Sequence, residues 1–178
     1  MLRLDVPAIE SERLILRGHR LTDFASIRDM WGDPEVTRYI GGKPRPEEDA
    51  WIKFLRASGF WVHLGYGYWI VEEKEGGHIV GEIGFGDFKR AMRPLLTGNM
   101  EAGWAFAASA HGKGYATEAL RAALDWASRN FPDETIHCII EKENAASLRV
   151  AEKCGFSYIG VADYHDAKVN VYQWSGAL

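Results

Sequence analysis

Two stretches of this chain hold residues in patterns that helix and strand building alone does not require. The first is Ser109-Ala110-His111-Gly112-Lys113-Gly114-Tyr115-Ala116-Thr117-Glu118. A glycine-rich turn feeding a helix leaves the first backbone N–H groups without intrahelical acceptors, and the helix dipole adds partial positive charge there. Gly112, Lys113, Gly114, Tyr115 and Ala116 would then present a row of donors suited to a phosphate or pyrophosphate. Glycine permits both the close approach of such a ligand and a positive φ. The same Gly-x-Gly pattern is equally compatible with a tight turn that binds nothing. It is not a Walker A loop, because Gly114 rather than Ser or Thr follows Lys113. Nor is it a dinucleotide fingerprint, since Thr117 stands where a third glycine is needed.

The second stretch runs from Asn144 to Phe156. Asn144 suits a helix N-cap, Gly155 suits the position just past the helix end, and Lys153 is well placed against the C-terminal dipole. Helix punctuation explains all three. Asn144, Ser147 and Ala151 also fall three and four residues apart, which puts them beside one another on a helix surface. Other chemistries leave no trace: there is no Gly-x-Ser-x-Gly elbow and no His-Glu-x-x-His metal motif. Cys138 and Cys154 sit in apolar surroundings without ligand-like spacing and read as buried reduced thiols.

Elements of a mixed α/β domain must position these stretches. Residues 14–16 read as a strand and 21–31 as a helix, with Leu21, Phe24, Ile27, Met30 and Trp31 in helical period. The run Gly41-Gly42-Lys43-Pro44-Arg45-Pro46 must be loop. A second helix is predicted over 47–57, with Ala50, Trp51, Phe54 and Leu55 on one side. Strands follow at 68–71 and 78–85, joined by a hairpin signal at Glu73-Lys74-Glu75-Gly76-Gly77, and at 100–107. The stripe Ala116, Ala119, Leu120, Ala123, Leu124, Ala127 predicts a helix over 115–130. A strand near 136–141, a helix over 145–154 and strands near 157–162 and 169–174 complete the order β-α-α-β-β-β-α-β-α-β-β. The expected fold is one domain over residues 1–178, with helices packed on a largely antiparallel sheet of about seven strands.

Composition narrows the function classes. Of the 178 residues, 47% are hydrophobic and 26% charged, with a formal net charge of −4. That balance, without a basic stripe, argues against a nucleic-acid surface. No apolar run approaches the roughly 18 residues of a membrane span, and charges from position 3 onward argue against a signal peptide. These features make the cytoplasm the expected location. Seven tryptophans and 12% aromatic residues are an excess. Core packing is the simplest use for each, though Trp31, Arg38, Tyr39, Trp61 and Tyr164 could instead wall a pocket. Neither a monomer nor a homodimer is favoured.

Both stretches together, in this order and about thirty residues apart, resemble the GCN5-related N-acetyltransferase (GNAT) superfamily, and more narrowly its RimJ/RimL-type branch acting on ribosomal-protein N-termini. The carrying residues are Ala102-Gly103-Trp104, residues 111–120, Asn144, Ser147 and Glu152-Lys153-Cys154-Gly155-Phe156. Ser11-Glu12-Arg13-Leu14-Ile15-Leu16-Arg17 and Gly81-Glu82-Ile83-Gly84-Phe85 also fit. The resemblance implies acetyl-coenzyme A as cosubstrate, no metal, and an amine acceptor. The amides from Gly112 to Ala116 would hold the pyrophosphate, and backbone groups of Phe106 and Ala107 the pantetheine along a splayed strand edge. Asn144, with Lys153 assisting, would hydrogen-bond the pantetheine arm. Glu101 is the implied base, with Glu82 in reserve, and Ser147 the implied acid. Two departures stand out. Ser109 replaces a Gln or Arg of the superfamily pattern, and Ala151 replaces a frequent tyrosine acid. An amine near pKa 8 to 10.4 is mostly protonated at neutral pH, so transfer to it is helped by a base. Acceptors compatible with the resemblance are a protein or peptide N-terminus or a small amine such as an antibiotic, polyamine or amino acid. A non-catalytic coenzyme A-binding or interaction module is the alternative of a different class.

Overall fold

The computed structural model describes residues 5–94, 100–165 and 167–176. Its strands are β1 (Ile9–Glu10), β2 (Leu14–Arg17), β3 (Tyr68–Glu73), β4 (Ile79–Gly86), β5 (Met92–Arg93), β6 (Met100–Phe106), β7 (Ile136–Ile140), β8 (Phe156–Tyr164) and β9 (Ala167–Trp174). The helices are α1 (Phe24–Gly32), α2 (Pro34–Thr37), α3 (Glu47–Leu64), α4 (Tyr115–Asn130) and α5 (Ala145–Lys153). One mixed sheet runs in the order β1-β2-β3-β4-β6-β7-β9-β8-β5. Its pairings are antiparallel except β6 with β7. The sheet therefore has nine strands among the described residues rather than about seven. The additional two, β1 and β5, are two-residue pairings too short to show a period.

Alternation along the strands assigns the two faces. Trp69, Val71, Ile83 and Phe85 point to the face covered by α4, whose Ala119, Leu120, Ala123, Leu124 and Ala127 are all fully buried. Ile70 and Ala105 point the other way, into a smaller core with Ile27, Met30, Trp31, Ala50 and Phe54 from α1 and α3. Small side chains on α4 let it lie close to the sheet, and Trp61, Trp69 and Trp126 meet edge to face in the remaining space.

Helix α3 runs seven residues past the predicted end at 57, through Ser58-Gly59, before Gly65 stops it in the left-handed conformation. Tertiary contact outweighs the helix cost of that glycine. Its buried face is also rotated from the predicted one. Ala50, Phe54, Ala57 and Trp61 are buried, whereas Leu55 is exposed and Lys53 turns inward. No helix among the described residues is long and apolar enough to cross a membrane.

Candidate active site

The strands β6 and β7 pair only at Met100↔Ile136 and Glu101↔His137, and then part. A parallel pair that diverges leaves polar backbone groups unmatched along the gap. The Ala107 N–H donates to the Val80 carbonyl at 2.9 Å, and the antiparallel register with β4 places Glu82 opposite Ala105 and Gly84 opposite Gly103. By alternation, the peptide groups of Ala102, Trp104 and Phe106 face the gap. Of the backbone groups expected to meet a ligand, the Phe106 carbonyl already accepts from His111 Nε2 at 2.9 Å, and the Ala107 N–H is taken by Val80. Trp104, part of the Ala102-Gly103-Trp104 stretch but not among the expected cosubstrate contacts, also turns its backbone edge to the gap and lines the cleft.

A turn of 3₁₀ helix, Ala108–Ala110, carries the chain from β6 into the glycine loop. Gly112 and Gly114 have φ of +77° and +79°, and Gly114 is the N-cap of α4. A β-carbon on Gly112 would meet nothing within 4 Å, so the loop has an open side. The first intrahelical bond is Glu118 N–H to Gly114, and the N–H groups from Gly112 to Ala116 donate to no backbone acceptor among the described residues. This is the donor row the sequence predicted, and it fits an anionic group.

Glu118 does more than complement a helix dipole. Its carboxylate accepts from the Ser11 hydroxyl at 2.7 Å, from the Arg13 N–H at 2.8 Å and from Arg13 Nε at 2.7 Å. Arg13 also donates to the Lys113 carbonyl at 2.9 Å. The segment Ser11-Glu12-Arg13 is thus a clamp that fixes the glycine loop from beneath.

A cleft of about 750 Å³ opens where β6 and β7 separate. Glu101, Asn144 and Ser147 all line it, so the structure brings together three predicted site residues from two distant stretches. Glu101 sits at the last paired position, the apex of the gap. Arg90, which the sequence did not single out, grips both its oxygens at 2.7 and 2.8 Å and donates to the Tyr164 hydroxyl at 2.8 Å. Burial opposes the Arg90 charge, but the Glu101 carboxylate more than restores it, so the guanidinium is held above its ordinary value. Asn144 Oδ1 accepts from the Ser147 N–H at 3.1 Å and caps α5. Its amide NH₂ remains to donate. Ala151 is fully buried. Lys153 stands at the other end of α5, about 13 Å from Asn144 at 1.5 Å per residue, and is not brought to the cleft.

Beneath the cleft lies a buried charge cluster. The Glu82 carboxylate accepts from Lys53 Nζ at 3.0 Å and from Trp31 Nε1 at 3.2 Å, with His19 Nε2 3.7 Å away. Burial alone would raise the Glu82 carboxyl, but Lys53 and His19 overcome it and hold it down at about 2. Glu82, the reserve base of the sequence reading, lies behind Lys53 and is not among the residues that line the cleft. Burial lowers the Lys53 ammonium, against the opposing pull of Glu82. Burial, with Glu101 and Glu82 nearby, pushes the Tyr68 phenol well above its ordinary value. Gly103 must be glycine here: a β-carbon would stand 2.3 Å from the Tyr68 hydroxyl oxygen. Lys53 had one legible signal, as a charge set among Ala50, Phe54 and Ala57 in helical period.

Trp31, Tyr39 and Tyr164 are wall residues of the cleft, while Arg38 and Trp61 are not. Trp61 passes over Gly67 into the main core and donates to the Tyr68 carbonyl at 2.9 Å. Both cysteines are free and buried, and burial raises the Cys154 thiol to about 11.

Comparison with known proteins agrees with this geometry. The Acetyltransferase (GNAT) domain family matches residues 13–157. The chain is 30% identical to the uncharacterized protein YkkB of Bacillus subtilis, over 92% of each chain. Its backbone superposes on an acetyltransferase from Agrobacterium tumefaciens with a TM-score of 0.82 at 29% identity, covering 98% of this chain and 97% of that one. A putative GNAT-family acetyltransferase from Bordetella pertussis gives 0.83 at 25% identity, covering 96% of this chain and all of the other. With the parted strands, the donor-rich glycine loop and a family match spanning most of its length, the chain belongs to the GNAT acetyltransferases.

Proposed function

We propose that this chain moves the acetyl group of acetyl-coenzyme A directly to a primary amine, with Glu101 as the group that takes the amine's proton. The observation that carries this reading is the position of Glu101, a buried carboxylate at the point where β6 and β7 part. The open edge of Trp104, the donor row from Gly112 to Ala116 and the free amide NH₂ of Asn144 would hold the cosubstrate, which supplies an activated thioester. No step then requires a nucleophile on the enzyme.

Each residue has a share in the proton balance. As the new C–N bond forms and the C–S bond breaks, the amine must lose a proton and the leaving thiolate must gain one. Both Glu101 oxygens already accept from Arg90, so a bridging water relays the proton more readily than direct contact. Arg90 fixes the orientation of the carboxylate. Ser147, at the first turn of α5 and facing the cleft, supplies the proton to the thiolate. Tyr164 is a second donor on the opposite wall, since its hydroxyl accepts from Arg90 and keeps its own proton to give. A preorganised cleft of this kind gains several kcal/mol from holding the two substrates together.

An α-amino group at a protein or peptide N-terminus, as in the RimJ/RimL-type branch, is the acceptor we favour. Solved structures of the same fold include RimL, the ribosomal L7/L12 α-N-protein acetyltransferase, at 16% identity and a TM-score of 0.73. They also include a spermidine N-acetyltransferase from Vibrio cholerae at 18% and 0.67. Polycations of the spermidine kind suit this cleft poorly, because Arg45 and Arg56 line it with no carboxylate paired to them among the described residues. The test is thiol release from acetyl-coenzyme A over a panel of peptides and small amines, with wild type beside Glu101→Gln. Turnover that falls in the variant while acetyl-coenzyme A still binds supports the assignment. Equal turnover in both removes Glu101 from it.

A further inference from the structure

The charge balance of the cleft is uneven in a way that catalysis does not use. Four cations line it, Arg45, Lys53, Arg56 and Arg90, against two carboxylates, Glu101 and Glu141. Lys53 is neutralised from beneath by Glu82 and Arg90 by Glu101. Arg45 and Arg56 have no carboxylate within ion-pair distance among the described residues, and Arg45 Nε is buried without a hydrogen-bond partner. Both are held by aromatic faces rather than by charge. The Arg45 guanidinium lies 5.2 Å from the Trp31 ring, and that of Arg56 lies 5.1 Å from Phe88. The same two rings carry Lys53 at 4.4 Å and Arg90 at 4.6 Å. Trp31 and Phe88, both lining the cleft, therefore each carry two like charges. Burial lowers the Arg56 guanidinium from its ordinary value, and the nearby Arg90 and Arg45 charges lower it further. Like-charged guanidinium groups set close together repel one another, and an arriving anion relieves that repulsion.

Resting on the acetyltransferase reading above, we infer that the acceptor amine carries a carboxylate close to its amino group, and that Arg45 and Arg56 are the residues that bind it. The planar guanidinium fork suits a carboxylate, and two such forks lining the cleft select against amines that are wholly cationic. This chemistry could come from a free acidic amino acid or from a peptide whose first residues are aspartate or glutamate.

The experiment compares kcat/KM for glutamate, glutamine amide, an Asp-Glu-initiated peptide, the matching Lys-Lys-initiated peptide and spermidine. It uses wild type, Arg45→Gln, Arg56→Gln and Arg56→Glu, with acetyl-coenzyme A affinity measured by calorimetry in each. A carboxylate-bearing acceptor should exceed its neutral or basic counterpart by roughly tenfold or more, and each Gln variant should erase roughly ten- to hundredfold of kcat/KM, mostly through KM. Arg56→Glu should shift preference toward spermidine. The free amino acid and the peptide arms separate the two sources. Equal or better use of the amide, the basic peptide or spermidine by wild type overturns the inference and leaves the transferase reading intact. So does a Gln variant that loses acetyl-coenzyme A affinity instead, since the arginines would then serve the cosubstrate. Absence of turnover on every amine overturns the transferase reading itself, and this inference with it.

Discussion

Replacing Glu82 by glutamine probes the buried charge on which the floor of the cleft rests. The residue is 1% exposed, pairs with Lys53 at 3.0 Å and accepts from Trp31 Nε1 at 3.2 Å. Burial opposes its charge, yet Lys53 and His19 hold the carboxyl down at about 2 from an ordinary 4.5. At about 1.36 kcal/mol per pKa unit, that gap is worth roughly 3 kcal/mol of folding free energy. The folded value lies below the unfolded one. The stabilisation is therefore complete above about pH 4.5 and is lost as pH falls from there toward 2. Glutamine keeps the shape and can still accept from Trp31, but it leaves the Lys53 ammonium buried without a counter-charge. Breaking a buried pair in this way costs about 3–5 kcal/mol. For a chain of this length, about 2–4 °C of Tm goes with each kcal/mol, so a fall of roughly 6–20 °C is expected at neutral pH. The assay is thermal and urea unfolding of wild type, Glu82→Gln, Lys53→Met and the double variant, from about pH 3 to pH 8. Glu82→Gln should be destabilised and should lose part of the acid-induced fall, and the double variant should recover much of the deficit. A Glu82→Gln protein as stable as wild type at neutral pH, with the same acid limb, refutes the reasoning.

Other perturbations address the site directly. Glu101→Gln should lower kcat by about 10²- to 10⁴-fold with little change in acetyl-coenzyme A affinity. Stopped-flow or steady-state thiol release checks this. Gly114→Val forces a β-branched residue into φ near +79°, costing about 1–2 kcal/mol and disordering the donor row. Calorimetric titration should show acetyl-coenzyme A binding at least tenfold weaker. Glu118→Ala removes the acceptor shared by Ser11 and Arg13. The partly exposed site limits the stability cost to about 1–2 kcal/mol. The glycine loop should nevertheless loosen, which hydrogen exchange of the amides at 112–116 would detect.

Much of the fold could be read before any coordinates because local pattern and tertiary role agree in it. The Ala119-Leu120-Ala123-Leu124-Ala127 stripe is both the helix signal and the buried face of α4. Glycines at 112 and 114 are both turn formers and the source of the open donor row. What escaped was what distant elements decide together. Lys53 resembles a surface lysine until β4 brings Glu82 beneath it. Arg90 lies between β4 and β5, in a stretch without period, and gains its meaning from Glu101 and Tyr164. Glu118 fits a helix dipole just as well as a clamp, and only the approach of Ser11 and Arg13 distinguishes the two. Trp61 could be read either as core or as a pocket wall, because loop signals surround it. The extra two turns of α3 carry it into the core instead.

The central claim, amine acetylation at the parted edge of β6, is tested most directly by one measurement. Purified protein is incubated with acetyl-coenzyme A and the amine panel, and each acceptor is weighed by mass spectrometry while free thiol is followed in parallel. The expected result is one added acetyl group on an acceptor, with an equal amount of thiol released, and loss of both signals in Glu101→Gln. Failure of wild type to bind acetyl-coenzyme A, or thiol release with no acetylated amine, contradicts it.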